Sequence, residues 1–336
     1  MSINIKDIAR LAGVSITTVS RVLNTPEKVS AQTRIKIQEL MKEHGYRYNR
    51  LAGGLVSGKT HTLALITPGE DNFFDAYYFK EIFTGMNSAA SKRGYNILVD
   101  QMTRFDPSST AANFPVDGNI LVSPAQDDPI IVTACDSGIP CVLVNCRSDV
   151  MNWVDSDNIT AARDIVEYIS GMGHTEILAL TGPPNVRNSI DRMSGFKNAM
   201  KAAGLNIKEE YLLDAGFSEE KAYSIISEFI KGGCPVTAII AFNDLMAIGA
   251  IRALKDAGIK VPGEVSVTGF DDIEISRYFS PAITTVKQPL FDIGAYAANV
   301  LVDRIEGGTE HPPNRELACR IVLRESASLP AVCDKD

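Results

Sequence analysis

Three polar side chains of this sequence stand where runs of apolar, β-rich residues end. Asn243 and Asp271 each follow such a run, and Arg192 lies at the start of the helical segment after another. In open α/β sheets, ligands bind in the crevice beyond the carboxyl ends of the strands. A carboxylate accepts hydrogen bonds, an amide donates and accepts them, and a guanidinium donates a planar fork. These residues are therefore candidates for a small-molecule site.

We expect a different role for the acidic residues next to two of these candidates. We expect Asp244 and Asp272 to cap helices or to pair with cations rather than to bind a ligand. Arg192 has an alternative role as an anchor for Asp271 that never touches the ligand.

A second group of candidates lies near the amino terminus, where residues 5–24 read IKDIARLAGVSITTVSRVLN. This length and its tight turn are typical of a helix-turn-helix, whose second helix enters the major groove of DNA. The short hydroxyl side chains of Ser15, Thr17, Thr18 and Ser20 suit phosphate contacts, and Arg21 can reach a base edge or a phosphate. Three-helix bundles of this size also serve as protein–protein modules, which is the alternative interpretation.

Helix signals in the same region predict a small bundle. Asn4 can cap a first helix, Gly13 ends it, and Ser15 can cap a second. A third helix is predicted to begin at Ser30 and to end at Gly45. The residues expected to face inward are Ile5, Ile8, Ala9, Ala12, Val19, Val22, Leu23, Ile37, Leu40, Met41 and His44.

The charge of the chain is divided unevenly. Residues 1–60 carry ten Lys or Arg and four Asp or Glu, a net charge of +6, whereas residues 61–336 carry 23 basic and 37 acidic side chains, a net charge of −14. A basic head on an acidic body indicates a polyanionic partner for the head alone. The alternative is a chance excess of basic residues on a solvated face.

Beyond residue 62, apolar β-rich runs alternate with amphipathic helical segments. This alternation predicts an α/β fold with parallel sheets covered on both faces. Some 270 residues exceed what one sheet usually holds, so we expect two lobes. The basic, glycine-rich tract at residues 46–58 is typical of a linker. The predicted strands cover residues 63–66, 96–99, 120–122, 141–144, 177–180, 238–241 and 265–267.

Several classes of protein are disfavoured. No apolar run is long enough for a transmembrane helix, and the amino terminus lacks the apolar region of a signal peptide, so a cytoplasmic protein without a membrane is expected. The six cysteines form no C-x-x-C pair, and the four histidines match no metal-binding pattern. We therefore predict no metal and no cofactor. No nucleophile–base pair supports catalysis, so an enzyme is not expected.

One competing motif is the phosphate-binding loop of NTPases, which residues 53–60 (GGLVSGKT) match. That chemistry needs a strand before the loop and a helix after it. Here a helical bundle precedes the loop and a strand follows it. The linker interpretation is therefore favoured.

Across nearly its whole length the sequence resembles the LacI/GalR family of bacterial repressors. The amino-terminal segment quoted above is one match. The other motifs, in the family's order, are SGMGH at 170–174, RMSGF at 192–196, NDLMAIG at 243–249, GFDD at 269–272, PAITTVKQ at 281–288 and LRES at 323–326.

The resemblance implies an architecture. A DNA-binding headpiece would occupy residues 1–48, a hinge helix or linker residues 49–61, and a two-lobed core residues 62–330. The core would resemble a type I periplasmic sugar-binding protein with doubly wound parallel sheets, and the chain would cross between its lobes three times. Some members carry tetramerising heptads, which this sequence lacks, so we expect a homodimer.

The resemblance also assigns DNA contacts. Ile16, Thr17 and Arg21 match the positions that read bases, and Lys6 is expected near a phosphate. The hinge match runs from Asn49 to Leu55, where Leu55 aligns with a leucine wedged into the minor groove. The family usually has arginine where this chain has Gly53, which lowers the helix propensity of the hinge.

In sugar-responsive members of the family, residues matching Arg192, Asn243 and Asp271 bind ligand hydroxyls. Tyr78 and Phe79 lie in a stretch that approaches the ligand in relatives, and Trp153 lies near a predicted lobe crossing. Aromatic rings can stack on a sugar's apolar face, but each of these three side chains has core packing as its alternative.

The function expected from the resemblance is a DNA-binding regulator, a repressor of sugar uptake or breakdown controlled by a sugar-like effector. A purine or a phosphorylated metabolite is the alternative effector. A sugar-binding receptor without DNA function is the alternative from another class. It leaves the basic head unexplained.

Overall fold

The fold is described from a computed structural model, for residues 3–24, 26–46, 59–67, 77–101, 115–312 and 314–331. The chain divides into two compact units, Met1–Thr60 and His61–Asp336. The predicted hinge at residues 49–61 falls mostly outside the described ranges, so its boundaries remain a prediction.

The first unit is a three-helix bundle, formed by α1 (Ile5–Ala12), α2 (Ile16–Asn24) and α3 (Ala31–Glu43). A short 3-10 helix, Pro26–Lys28, precedes α3. The core of the three-helix bundle is built from Ile8, Ala9, Ala12, Val19, Val22 and Ile37. The predicted inward stripe of α3 is wrong at His44, which is exposed because the helix has already ended there.

Capping explains where these helices begin and end. The Asn4 side chain accepts from the backbone of Asp7, whose carboxylate accepts from the Asn4 N–H at 3.1 Å. This reciprocal pair satisfies backbone donors that the first turn leaves free. Gly13 then adopts a left-handed φ of 69°, which ends α1 and starts the tight turn into α2.

The second unit contains two six-stranded sheets. The first sheet has the order β11-β5-β4-β3-β1-β2 and the second β12-β10-β9-β8-β6-β7. Neighbouring strands pair in parallel throughout, except that β12 runs antiparallel to β10. The strands are β1 (Thr62–Thr67), β2 (Asn96–Gln101), β3 (Gly118–Val122), β4 (Cys141–Val144), β5 (Asn152–Ser156), β6 (Ile177–Thr181), β7 (Leu212–Asp214), β8 (Ala238–Ala241), β9 (Ser266–Asp271), β10 (Thr284–Lys287), β11 (Asn314–Leu317) and β12 (Arg320–Val322).

Helices cover these sheets. They are α4 (Tyr77–Lys92), α5 (Pro129–Asp136), α6 (Asn158–Gly171), α7 (Arg187–Ala202), α8 (Glu219–Phe229), α9 (Asp244–Asp256), α10 (Glu274–Tyr278) and α11 (Leu290–Glu306). In the first sheet, Leu63 and Leu65 pack toward α4 and α11, whereas Ala64 and Ile66 pack toward α5. This alternation buries both faces of the sheet and confirms the predicted doubly wound α/β fold.

The chain passes between the two lobes three times. It leaves the first sheet after β5, returns after β10, and leaves again between β11 and β12. The three crossings expected from the family resemblance are therefore present. They bring the carboxyl ends of β5 and β10 to the boundary between the lobes.

Among the described helices, none combines the length and the apolar character that crossing a bilayer requires.

Candidate DNA-binding face and effector site

The second helix of the head presents one exposed face. Ile16, Thr17 and Arg21 are exposed, and Ile16 keeps 44% of its surface accessible. Val19 and Val22 are buried on the other side of α2. The three residues predicted to read bases therefore share a surface that the groove of a DNA duplex can reach.

Ser15 and Thr18 are engaged with each other at the start of α2. The backbone N–H of Thr18 donates to Ser15 Oγ at 3.1 Å, and the two side-chain hydroxyl oxygens are 2.9 Å apart. Ser15 therefore caps α2 as predicted. A phosphate contact by either hydroxyl would be additional to this local bond.

The remaining DNA candidates are less constrained. Lys6 is exposed on α1, and Ser20 is half-buried on α2. Asn49 and Leu55 lie outside the described residues, so their predicted contacts rest on the sequence alone.

In the core, Arg192 is buried on α7 and is 2% exposed. Its Nε donates to Asn158 Oδ1 at 2.8 Å, and its Nη1 donates to the carbonyl oxygen of Phe242. The guanidinium carbon lies 3.7 Å from the centroid of the Phe270 ring, and Nη1 lies 3.7 Å from Asp271 Oδ1. Arg192 is thus an anchored cation that holds the strand-end carboxylate by charge.

Asp271 ends β9 with a positive φ of 120°. Its Oδ1 accepts from Gln288 Nε2 at 2.6 Å. Burial raises the pKa of Asp271 to about 6, although the charge of Arg192 and the hydrogen bond from Gln288 both oppose this rise. A non-glycine residue at positive φ is costly, and such residues concentrate at functional sites.

The polar groups around Arg192 form a closed ring that links two of the lobe crossings. Ser156 lies at the end of β5, and Gln288 directly follows β10. Ser156 Oγ donates to Gln288 Oε1 at a distance of 2.7 Å. Asp155 Oδ1 accepts from the Ser156 N–H at 2.7 Å and from Asn158 Nδ2 at 3.1 Å. Asn158 accepts in turn from Arg192. The ring therefore connects the segments of both crossings through hydrogen bonds.

Asn243 caps α9. Its Oδ1 accepts from the Met246 N–H at 2.8 Å, and its Nδ2 donates to the carbonyl oxygen of Phe217 at 3.1 Å. Both polar atoms of this amide already have protein partners. Ligand binding by Asn243 therefore stays a prediction that competes with a structural role.

Of the two acidic neighbours, Asp272 pairs with cations as expected, whereas Asp244 has a structural role as a hydrogen-bond acceptor rather than as a helix cap or an ion-pair partner. Asp244 is fully buried, with Oδ1 accepting from Thr285 Oγ1 at 2.5 Å and Oδ2 accepting from the Ile273 N–H at 2.9 Å. A Cβ atom on Gly269 would lie 2.1 Å from Asp244 Oδ1, so only glycine fits there. Asp272 is paired with Lys287 at 3.3 Å and with a second cation, Arg324.

Of the aromatic candidates, Tyr78 lies toward the cleft and Phe79 does not. The Tyr78 hydroxyl is 3.2 Å from Ser123 Oγ. Burial raises the pKa of Tyr78, and the charge of nearby Asp271 adds to this rise. Phe79 is buried in the core of the first lobe and stacks on Phe83 with 5.9 Å between ring centroids. Phe79 therefore has the core packing that was its alternative, and stacking of its ring on a ligand stays a prediction that competes with this packing.

The Trp153 ring contacts a cation, and Trp153 also lines one of the cavities described below. The guanidinium carbon of Arg147 lies 5.1 Å from its centroid. Arg147 is also surrounded by carboxylates, since its Nε is 3.5 Å from Asp155 Oδ2 and its Nη2 is 3.2 Å from Asp191 Oδ2. Glu316 pairs with the same Nη2 atom. Trp153 therefore supports Arg147, and its predicted stacking on a ligand has to compete with this contact.

Two cavities include residues of this network or their ion-pair partners. One of about 500 Å³ is lined by Gln126, Ile131, Arg147, Ser148, Asp149, Val150, Trp153 and Arg187. The other, of about 450 Å³, is lined by residues that include Lys80, Asp271, Asp272, Lys287 and Gln288. The second cavity includes Asp271 and Gln288 of the ring, and the first includes Arg147, which pairs with Asp155.

Sequence reasoning missed several members of this site, namely Asp155, Ser156, Asn158, Gln288, Arg147 and Asp191. The polar run at residues 155–158 was a usable signal, because it directly follows a strand at a lobe crossing. That strand, β5, was not predicted, so the run was not placed at a strand end.

Asp303, Glu310 and His311 bring three potential metal-ligand atoms within 4.8 Å of one another. The carboxylate of Asp303 already pairs with Arg93 at 2.6 Å and with His311 Nδ1 at 2.7 Å. The neighbouring guanidinium opposes a cation here, so this group does not amount to a metal site.

A helix-turn-helix head with an exposed second helix, joined in one chain to a two-lobed core with a polar cleft, defines a ligand-responsive DNA-binding regulator of transcription. Residues 4–49 match the profile of bacterial regulatory proteins of the lacI family, and residues 166–327 match a periplasmic binding protein-like domain. The chain belongs to the LacI family. This family consists of transcriptional regulators and not of enzymes.

Individual relatives agree with this assignment. The transcriptional regulator CelR of Thermobifida fusca is 32% identical over 328 residues, which cover 95% of this chain and 96% of the relative. A solved CelR–cellobiose complex matches with a TM-score of 0.75 at 30% identity, covering 97% of this chain and 100% of that chain. A lac repressor dimer bound to operator and the anti-inducer ONPF matches with a TM-score of 0.83 at 26% identity. The match covers 97% of this chain and 99% of that chain.

Proposed function

We propose that this protein represses transcription as a cytoplasmic homodimer, and that a neutral polyhydroxylated effector such as a sugar controls its affinity for operator DNA. The observation that carries the effector assignment is the Arg192–Asp271 pair, whose closest atoms are 3.7 Å apart at the carboxyl end of β9. A carboxylate and a guanidinium at this spacing offer an acceptor and a donor to neighbouring hydroxyl groups.

The charge of the site disfavours the alternative of a phosphorylated effector. Four carboxylates, those of Asp155, Asp191, Asp271 and Glu316, pair with only three guanidinium groups, those of Arg147, Arg187 and Arg192. The nearby arginines are therefore already neutralised. A phosphate would add negative charge to a site where carboxylates outnumber cations.

A purine effector is disfavoured for a different reason. A flat base is usually held between open aromatic or apolar faces. Among the described residues of the site, the guanidinium of Arg192 lies over the ring of Phe270, and the guanidinium of Arg147 lies over the ring of Trp153. These faces are occupied, whereas hydrogen-bonding groups are abundant.

The relatives support the same proposal. CelR has been solved in complex with cellobiose, and the lac repressor structure is of a dimer on its operator. For this chain we propose that α2 enters the major groove, with Ile16, Thr17 and Arg21 reading bases and Lys6 contacting phosphate. Asn49 and Leu55 would complete the contact from the hinge.

The proposal is tested first by screening for ligands. The melting temperature of the full protein is measured with D-glucose, D-galactose, D-ribose, cellobiose, glucose 6-phosphate and adenine. A ligand that binds the native state raises the melting temperature by mass action. We expect a shift with a neutral sugar and none with the phosphate or the base. A shift with only the phosphate or the base would contradict the proposed effector class.

DNA binding is tested on operator sequences selected from a random duplex library. Affinity for the selected operator is then measured against salt concentration, with and without the sugar. We expect a steep fall with salt, because a head of net charge +6 releases counterions from phosphates. An operator affinity unchanged by saturating sugar would contradict control by the effector.

A further inference from the structure

The three lobe crossings lie next to one another at the ends of four strands. In the first sheet, β5 pairs with β11, and Ser156 lies opposite Leu317 where both strands end. In the second sheet, β10 pairs with β12, and Lys287 lies opposite Arg320. Only two residues connect β11 to β12. The two sheets are therefore joined at this place by a short covalent link.

A hydrogen bond between side chains runs beside this covalent link. It is the bond from Ser156 Oγ to Gln288 Oε1, and the two side chains are 0% and 3% exposed. Its direction is fixed by Asp271. An ionised carboxylate only accepts, so the Gln288 amide nitrogen faces Asp271 at 2.6 Å and the amide oxygen faces Ser156. The Ser156 hydroxyl thus fastens the end of β5 in the first lobe to the end of β10 in the second.

The third crossing reaches the same hydroxyl. Cys319 belongs to the two-residue link, and burial raises the pKa of its thiol to about 12, although a hydrogen bond between Cys319 and Ser156 opposes this rise. The backbone also ties the first crossing to the third, since the Asp157 N–H donates to the carbonyl oxygen of Leu317 at 2.9 Å. Ser156 therefore contacts both other crossings through one side-chain oxygen. We call Ser156, Gln288 and Cys319 the lobe junction.

The lobe junction lies where a movement of the lobes has to act. Each lobe is a sheet packed between helices, so rotation of one lobe against the other changes the backbone at the crossings. A hydrogen bond between two crossings has a narrow range of geometry, and a different arrangement of the lobes breaks it. A broken bond would leave a buried donor and a buried acceptor without partners. The bond from Ser156 therefore favours one arrangement of the lobes over others.

We propose that the Ser156 hydroxyl sets the balance between two arrangements of the lobes, and that this balance determines how strongly the effector changes operator affinity. Ser156 is a positioning residue, because it acts through Gln288 and Cys319. This inference rests on the proposed function and adds to it the group that couples the effector site to the lobes. An effector changes DNA affinity only by binding two states of the core differently, so a shift in their balance changes the response.

The test compares Ser156→Ala with wild type and with Ser266→Ala in the full protein. Ser156→Ala removes the donor and keeps the bonds that the backbone of Ser156 makes with Asp155 and Asn158. Ser266→Ala also removes a buried hydroxyl, which donates to the carbonyl oxygen of Ser328 at 3.1 Å within the second lobe. The variant and its control therefore differ in whether the lost hydrogen bond joins the lobes.

Hydrogen–deuterium exchange of the ligand-free protein, read by mass spectrometry, measures opening of the crossings without an effector. We expect exchange at residues 155–160, 286–291 and 316–321 to be about fivefold faster in Ser156→Ala than in wild type, the effect of losing one buried hydrogen bond. Ser266→Ala should leave these three segments unchanged. Wild-type exchange in Ser156→Ala would overturn the inference, and so would equal acceleration in both variants.

Operator affinity is then measured without and with a saturating sugar. The sugar is the one among D-glucose, D-galactose, D-ribose and cellobiose that raises the wild-type melting temperature most. We expect Ser156→Ala to change the ligand-free affinity about fivefold and to match wild type at saturating sugar, because the effector then fixes the arrangement of the lobes. A residue that only stabilises the fold would alter both affinities alike.

Equal changes with and without sugar in Ser156→Ala would overturn the inference and leave the proposed function intact. An unchanged ligand-free affinity would do the same. If none of the four sugars changes the operator affinity of wild type, the proposed function fails, and this inference fails with it. A wild type that responds to sugar beside a Ser156→Ala variant that exchanges and responds as wild type does is the failure of this inference alone.

Discussion

Arg147 and Asp191 join the two lobes of the core, with 3.2 Å between Arg147 Nη2 and Asp191 Oδ2. Arg147 follows β4 in the first lobe, and Asp191 belongs to α7 in the second. Asp191 is also held by Arg187 of its own helix at 3.0 Å. The two lobes are thus linked by a charged contact that stands beside the candidate effector site.

Replacement of Arg147 by methionine should destabilise the core by about 3 kcal/mol, because the carboxylates of Asp155, Asp191 and Glu316 would lose their shared cation. Urea unfolding monitored by circular dichroism measures this loss. The double variant with Asp191→Asn should lose less than the sum of the two single changes. Strictly additive losses would show that the two side chains are not coupled.

A matched control is Arg163→Met on α6. Arg163 also pairs with carboxylates, those of Asp164 and Glu167, but all three side chains are about half exposed. Surface ion pairs contribute little to stability. We expect no measurable change in the unfolding midpoint, so a loss as large as that of Arg147→Met would contradict the importance of burial.

The buried carboxyl group of Asp155 should make stability depend on pH. Burial raises the pKa of Asp155 to about 6 in the folded state, despite the opposing charge of Arg147. The folded protein therefore binds this proton more tightly than the unfolded chain does. The contribution of Asp155 to stability is fully present below about pH 4 and is lost as pH rises to about 6.

Relative to Asp155→Asn, the free energy of unfolding of the wild type should fall by up to about 3 kcal/mol between pH 4 and pH 6, and by little more above pH 7. This size follows from about 1.4 kcal/mol for each unit by which the pKa differs between the folded and unfolded states. Thermal melting of both proteins across this range gives the difference. A difference that does not vary with pH would contradict the raised pKa.

His174 should produce the opposite dependence. Burial lowers its pKa below 6.5, although a hydrogen bond to the Ser328 carbonyl opposes this shift. Its contribution to stability is present above pH 6.5 and is lost as pH falls through the folded-state pKa. Relative to His174→Gln, wild type should therefore lose stability on acidification. A loss on raising the pH instead would contradict this sign.

Arg21→Ala should cost roughly 1–3 kcal/mol in binding to the selected operator if Arg21 reads a base. Lys6→Ala, which removes a proposed phosphate contact, should weaken selected and random DNA about equally. Electrophoretic mobility shifts on both kinds of duplex measure these affinities. If Arg21→Ala also lowered both affinities by the same factor, Arg21 would be a phosphate contact only.

Asp271→Asn should abolish the response to the effector and keep operator binding. The amide retains the acceptor atom that bonds Gln288, but it loses the charge that pairs with Arg192 and cannot accept two hydroxyls. An effector changes DNA affinity only through its different affinities for two states of the core. Operator occupancy with and without saturating sugar checks this, with Asp256→Asn at the exposed end of α9 as control. A full response in Asp271→Asn would place the effector elsewhere.

The sequence by itself determined the elements whose signals are local. Asn4, Gly13 and Ser15 predicted the boundaries of the first two helices, because capping depends on residues within one turn of each other. The seven predicted strands all exist, because runs of buried apolar residues are typical of parallel sheets covered on both faces. The ends of those strands also indicated Arg192 and Asp271.

The structure alone decided what depends on contacts between distant segments. The strands β5, β10, β11 and β12 are short or polar at the lobe crossings, so no apolar run marked them. Residues 155–158 become part of the site only because β5 ends opposite Gln288, which is 132 positions beyond Ser156 along the chain. In the same way, Phe79 and Trp153 have ring faces that the sequence leaves open. Packing on Phe83 and the guanidinium of Arg147 occupy those faces. Phe79 and Phe83 are one helical turn apart on α4, but only the packed lobe buries this pair. Trp153 meets Arg147 only because the folded chain brings them together.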